Sequence, residues 1–177
     1  MNDLFWGAVT YTGDPVLWSS IVIILVAVHY LLDRKYIKFS RSEKHRKMLK
    51  NFLLLIIPTL FISLFGAEAL KLIFQVPRPC LPCPAPDCNP FCLESFSFPS
   101  GHMSTMTGVA TSIFLLMRSR KRYLPIYIFP ALVGISRVAL GVHTIVDVIG
   151  GFAVGLAVTF IVWKNRDSIY RWEDEVI

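Results

Sequence analysis

Charge is what this sequence has least of. Only 17% of its 177 residues are Asp, Glu, Lys or Arg, against 54% that are hydrophobic. A water-soluble domain carries about a quarter charged residues to cover its core, so a chain this poor in charge holds its apolar surface against something other than water. The first 33 residues contain no Lys or Arg. The first apolar run, after Asp14-Pro15, thus lacks the positive flank of a cleavable signal and is expected to stay in the protein. No internal repeat or low-complexity tract is present, which excludes solenoids and compositionally biased arrays.

What is present is long apolar segments. Five are long enough to cross a bilayer, which takes about 17 to 25 residues: 16 to 32, 53 to 74, 99 to 117, 123 to 140 and 145 to 163. The expected fold is all-α, a single membrane-embedded helical bundle over residues 1–177. Basic residues orient it. Arg34, Lys35, Lys38, Arg41, Lys44, Arg46, Lys47 and Lys50 lie between the first two spans, Arg118, Arg120, Lys121 and Arg122 between the third and fourth, and Lys164, Arg166 and Arg171 after the fifth. The positive-inside rule makes these regions cytoplasmic. The N-terminus, the loop 76–98 and the turn 141–144 are then extracytoplasmic, in a multi-pass protein of the cell membrane. The same rule and anionic lipid explain the basic run from 34 to 50 without a nucleic-acid partner.

Fifteen of the eighteen Lys and Arg are thereby placed inside. Lys71, Arg78 and Arg137 are left, all at the outer ends of spans, where His102, His143 and Asp147 also fall. Three cations, two imidazoles and a carboxylate drawn from four segments to one membrane face have the form of an anion-processing site. His143 and Asp147 are four apart, so on a helix the carboxylate can fix the tautomer and leave the other ring nitrogen as nucleophile. A buried structural hydrogen bond is the alternative for that pair. His102, protonated, suits a general acid. Arg78 and Arg137 can fork phosphate oxygens and Lys71 adds a point charge, although isolated basic residues at helix ends more often snorkel. In the stretch SFPSGHM, residues 97–103, Pro99 suits a helix start, and the amides of Ser100, Gly101 and His102 are expected to face an anion at the positive end of the helix dipole.

The strings K71-LIFQVP-R78-P79, P99-S100-G101-H102 and S136-R137-VALGV-H143-TIV-D147 resemble the three motifs of the type 2 phosphatidic acid phosphatase superfamily, with every position and spacing matched from 71 to 147. The resemblance implies metal-independent hydrolysis of lipid phosphates, without a cofactor, through a phosphohistidine. His143 would attack phosphorus, Asp147 would support it, and His102 would protonate the leaving group. Lys71, Arg78, Ser100, Gly101 and Arg137 would cradle the phosphoryl oxygens. A polyprenyl (di)phosphate is preferred to phosphatidate or phosphatidylglycerophosphate as substrate; capture of the phosphoryl group by another hydroxyl, or a silent scaffold, are the alternatives. Membrane members of the family usually have six spans, one more than the five counted here, and Leu4 to Tyr11 is read as a short interfacial element instead.

Cys80, Cys83, Cys88 and Cys92 sit in the proline-rich outer loop, where six prolines between 77 and 90 exclude helix. Two disulfides, in any of three pairings, are expected there, with a zinc site as the alternative. Glu68, one turn before Lys71, is expected to hold that lysine or to make a helix contact. His29 matches no motif and is expected to be packed. The small residues Ser104, Gly108, Thr111 and Ser112, and the pair Gly151 and Gly155, suit close helix packing.

Overall fold

The computed structural model describes residues 2–24, 43–82, 90–117 and 120–166. Its helices are α1 (Asn2–Thr12), α2 (Pro15–Ile24), α3 (Glu43–Phe74), α4 (Gly101–Leu116), a 3₁₀ helix (Arg120–Tyr127), α5 (Ile128–Ala139) and α6 (Ile145–Lys164). No strand occurs among the described residues. Two stretches, Asn51–Phe74 within α3 and the whole of α6, are long and apolar enough to cross a membrane. The remainder of the expected first span beyond residue 24, with His29, lies outside the described residues, as do Cys83 and Cys88.

The outside of the bundle is apolar, and its inside combines apolar clusters, Val22 with Ile56, Leu60 and Val109 and Leu55 with Val158 and Val162, with many small polar residues. Thr59, Ser63, Ser104, Thr105, Thr107, Ser112 and Thr159 are fully buried, whereas Ile62, Phe65, Leu72, Ile73, Ile145, Ile149, Phe160 and Ile161 are exposed. Water would drive the opposite arrangement. In lipid the tails impose no penalty on an outward Ile, and small hydroxyl residues let helices approach and satisfy one another. Thr105 Oγ1 donates to the Gly101 carbonyl at 2.8 Å, Thr159 Oγ1 to that of Gly155 at 2.8 Å, and Ser104 Oγ to that of Ser63 across the α3–α4 contact at 3.2 Å.

Helix α4 is central, packed against α3, α5 and α6. Its contact with α6 is backbone to backbone. A Cβ on Gly151 would collide with the Ser100 carbonyl oxygen, and one on Gly155 with that of Ser104. One turn on, Thr159 Oγ1 donates to the Gly108 carbonyl at 3.3 Å. Positions 151, 155 and 159 thus meet 100, 104 and 108 in a register of four, which is why glycine stands at the two closest points.

Two expectations are corrected. The stretch 123 to 140 is not one helix: Pro125 lies in the 3₁₀ segment, and α5 starts at Ile128 so that Pro130 falls in its first turn, where a missing N–H leaves no intrahelical bond unmade. The two pieces still rise about 16 and 18 Å. Pro99 also lies outside α4, whose N-cap is Ser100, with Oγ accepting from Met103 N–H at 3.5 Å.

Gly155→Ala is expected to destabilise the bundle by about 1–3 kcal/mol through overpacking, seen as a lower thermal midpoint in detergent. Gly66→Ala, where a Cβ meets nothing within 4 Å, should leave the midpoint unchanged or raise it.

Candidate active site

Four helix ends converge. Lys71 is in the last turn of α3 and Arg137 in that of α5, each a cation at the negative end of a dipole; α4 and α6 bring their positive N-termini, with His102 and Asp147 in their first turns. Lys71, Arg78, Ser100, Arg137, His143 and Asp147 are all buried. The structure therefore brings together all eight residues expected at the site.

The α5–α6 turn sets His143. Gly141 takes φ +67°, a left-handed conformation that glycine enters without steric cost. This folds the chain back so that the amides of Val142 and His143 both donate to the Arg137 carbonyl, at 3.2 and 3.3 Å. Thr144 then caps α6 in a capping box: Asp147 N–H donates to Thr144 Oγ1 at 3.2 Å, and Thr144 N–H to Asp147 Oδ2 at 2.7 Å. The same Oδ2 is 3.5 Å from His143 Nδ1, and Asp147 Oδ1 accepts from Ser97 Oγ at 3.3 Å. Asp147 is thus fixed by the helix that it caps before it meets the imidazole.

On the other side of the ring, His143 Nε2 is 3.3 Å from Arg78 Nη1. A guanidinium only donates, so Nε2 carries the lone pair and Nδ1 the hydrogen, which makes no hydrogen bond among the described residues, Asp147 Oδ2 standing 3.5 Å away. Arg78 is held by Ser95, whose carbonyl accepts from Nε at 3.1 Å and whose Oγ accepts from Nη2 at 2.9 Å, and Nη1 also reaches the Val142 carbonyl at 3.3 Å. Burial first, then Arg78, Arg137 and Lys71, push the His143 pKa well below the ordinary 6.5, so the ring stays neutral. The unfolded chain takes up a proton below 6.5 that the folded one refuses. The contribution of this residue to stability therefore falls as pH drops through that value.

Lys71 Nζ pairs with Glu68 Oε1 at 2.6 Å, and a Cβ on Gly101 would stand 3.9 Å from that Nζ. Arg137 Nη1 donates to Thr10 Oγ1 at 3.0 Å, and its buried Nε has no partner among the described residues. A buried donor of this kind in a cationic pocket suits an anionic ligand. One expected donor is removed from the pocket: Ser100 N–H is not free, since it donates to the Asp147 carbonyl at 3.0 Å. Disulfide Cys80–Cys92 closes the outer loop beside Arg78 and excludes a zinc site made from all four cysteines. Among the described residues no cluster of three His, Cys, Asp or Glu stands as metal ligands would.

Four residues that touch the site were not assigned to it from sequence. Ser95 and Ser97 lie in a loop without periodicity, and Thr10 and Asp14 lie far upstream of any motif. The only local signal was Asp14-Pro15, which marks a helix start and not a site. Beneath the polar ring, an apolar cleft of about 560 Å³ opens between α4, α5 and α6, lined by Met103, Gly134, Val138, Ile145, Val148 and Phe152 among others.

The PAP2 superfamily profile matches residues 52–171. The chain belongs to the PAP2 superfamily. It is 35% identical over 126 residues to phosphatidylglycerophosphatase B of Bacillus subtilis, covering 66% of this chain and 61% of that one, and 33% identical over 108 residues to the undecaprenyl-diphosphatase BcrC of the same organism, covering 61% and 54%. It is also similar to mouse sphingosine-1-phosphate phosphatase 1, at 31% identity over 61% of this chain and 26% of that one. The match thus spans less than two thirds of the length of each of these relatives. Among solved structures, a transmembrane PAP2-type phosphatidylglycerolphosphate phosphatase from B. subtilis superposes with a TM-score of 0.60 at 26% identity, over 94% of this chain and 77% of that one. LpxE of Aquifex aeolicus shares the fold, with a TM-score of 0.60 at 23% identity over 92% and 85%.

A ¹⁵N NMR spectrum of the histidine-labelled protein should show His143 as the neutral Nδ1–H tautomer and keep that pattern on acidification past 6.5, the direction set by its lowered pKa. An imidazolium signal at that pH would contradict the arrangement.

Proposed function

We propose that this chain is a metal-independent lipid phosphatase that removes a terminal phosphate through a phosphohistidine. The observation that carries the proposal is the lone pair of His143 Nε2, facing the cationic pocket of Arg78, Arg137 and Lys71 from a ring backed by Asp147. The cations supply what phosphoryl transfer needs most, stabilisation of spread negative charge. In the first step His143 Nε2 forms a bond to phosphorus while the bond from phosphorus to the leaving oxygen breaks, and His102 gives that oxygen a proton. In the second step water attacks phosphorus, its proton goes to His102, and the P–N bond breaks to release inorganic phosphate. Asp147 stabilises the positive charge that His143 acquires between the steps.

Family membership and the apolar cleft support a lipid substrate. Met103 and Val148 line the cleft and adjoin His102 and Asp147 in sequence, which suits a lipid tail held near the site. Two similar proteins are named for a glycerophospholipid phosphate and a polyprenyl diphosphate, and we favour the polyprenyl class. The proposed topology has five spans, with the site and N-terminus extracytoplasmic, as the basic residues direct.

Phosphate release in detergent micelles with EDTA, across polyprenyl diphosphate, phosphatidate, phosphatidylglycerophosphate and a soluble ester, tests this proposal. Release is expected with EDTA and greatest with the polyprenyl substrate. His143→Ala should lower it by about 10³-fold or more. Loss of activity with the metal chelated would refute metal independence, and phosphorylated acceptor in place of free phosphate would make the chain a transferase.

A further inference from the structure

The corner between α1 and α2 holds a carboxylate for which the chemistry above has no task. Asp14 N–H donates to the Tyr11 carbonyl at 3.1 Å, and the Asp14 carbonyl accepts from Trp18 N–H at 3.2 Å. Its Oδ1 accepts from the amides of Val16 and Leu17, at 2.7 and 3.1 Å, as an N-cap does. Other contacts pin the corner. Gly13 N–H donates to the Thr10 carbonyl at 3.0 Å, and the Trp18 indole to that of Thr12 at 2.7 Å. Gly13 lies so close to α5 that a Cβ there would stand 2.6 Å from Val133 Cγ1. Thr10 accepts from Arg137, so the N-terminal helix is already tied to the phosphate pocket. With Oδ1 engaged in the cap, Oδ2 remains, and it faces His102 Nε2 at 3.9 Å.

We propose that Asp14 is a positioning residue for His102, its second carboxylate oxygen balancing the charge of the protonated imidazole so that the general acid stands ready in a pocket of cations. This inference rests on the acid role proposed above for His102. That residue delivers a proton only if it carries one, and Lys71, Arg78 and Arg137 converge on the same site and oppose a further positive charge there. A carboxylate within about 4–6 Å offsets part of that repulsion, while burial of the ring and the three cations act against it. Because the cap fixes Oδ1, the direction of Oδ2 is set before substrate arrives, which makes the support preorganised. Asp14 itself exchanges no proton: the one that leaves His102 goes to the departing oxygen, and the one that returns comes from water. Each histidine then has its own carboxylate, Asp147 for the nucleophile and Asp14 for the acid.

The test is leaving-group dependence. An alkyl phosphate needs its departing oxygen protonated, whereas an aryl phosphate such as p-nitrophenyl phosphate releases a stable phenolate without help. In the full-length protein in micelles, His102→Ala should cut kcat on a long-chain alkyl phosphate by about 10²-fold or more and leave the aryl ester much less affected. Asp14→Asn keeps the helix cap but removes the charge. It should reduce kcat on the alkyl ester about tenfold, the equivalent of one pKa unit, spare the aryl ester, and add nothing in the double variant with His102→Ala. Asp14→Ser, which also caps, should behave in the same way and serves if the Asn variant does not fold. Asp14→Glu should recover part of the loss. If His102→Ala is selective but the Asp14 variants lower both esters alike, or their losses multiply with that of His102→Ala, Asp14 acts as a cap or on the neighbouring charge of Arg137, and the inference is overturned while the acid role of His102 stands. If His102→Ala shows no leaving-group selectivity, the acid assignment fails and the inference with it.

Discussion

The site depends on one hydrogen bond and the glycines beneath it. Ser100 N–H donates to the Asp147 carbonyl at 3.0 Å, tying the serine of the PSGH turn to the first turn of α6. It forms because Gly151 and Gly155 let α6 lie against the backbone of α4. A side chain larger than hydrogen at either point would push the helices apart and separate His102 from His143. The small residues, which do no chemistry, thereby set the distance between the two imidazoles.

That arrangement explains which parts of the protein were legible in its sequence. The eight motif residues could be named from their spacing, because Lys71 and Arg78, Arg137 and His143, and His143 and Asp147 are local pairs whose separation follows from a helix end and a turn. The Gly151 and Gly155 packing was legible for the same reason. The partner of Arg137 was not, since Thr10 lies at the other end of the chain and has no pattern pointing inward. The Ser100 amide was assigned to the pocket because sequence shows an unpaired helix N-terminus and does not show the carbonyl that arrives from α6. The shortened α5 reflects the same limit, in that hydropathy registers the apolar run through Pro125 and Pro130 and ignores their missing donors.

The inverted core has an energetic side. The hydroxyls of Ser104, Thr105 and Thr159 find carbonyls within the bundle and so avoid the cost of an unsatisfied polar group in a medium without water, whereas those of Thr59, Ser63, Thr107 and Ser112 have no partner among the described residues. The apolar exterior of α3 and α6 leaves the cationic ring as the concentrated polar feature at its end of the helices. An anion reaching that end meets donors that are already oriented and, in the case of Arg137 Nε, unengaged.

The contact between Arg78 and His143 has a further consequence. An arginine N–H rests on the Nε2 lone pair at 3.3 Å, so the proposed nucleophile is sheathed. A phosphate entering under the proposed mechanism would compete for that same guanidinium and, in drawing it off, would bare the imidazole where phosphorus arrives. Uncharged molecules that wander in from the membrane offer the arginine nothing in exchange and meet a covered nitrogen. The residue proposed to recognise the anion would then also be the latch that keeps the proposed nucleophile covered without it.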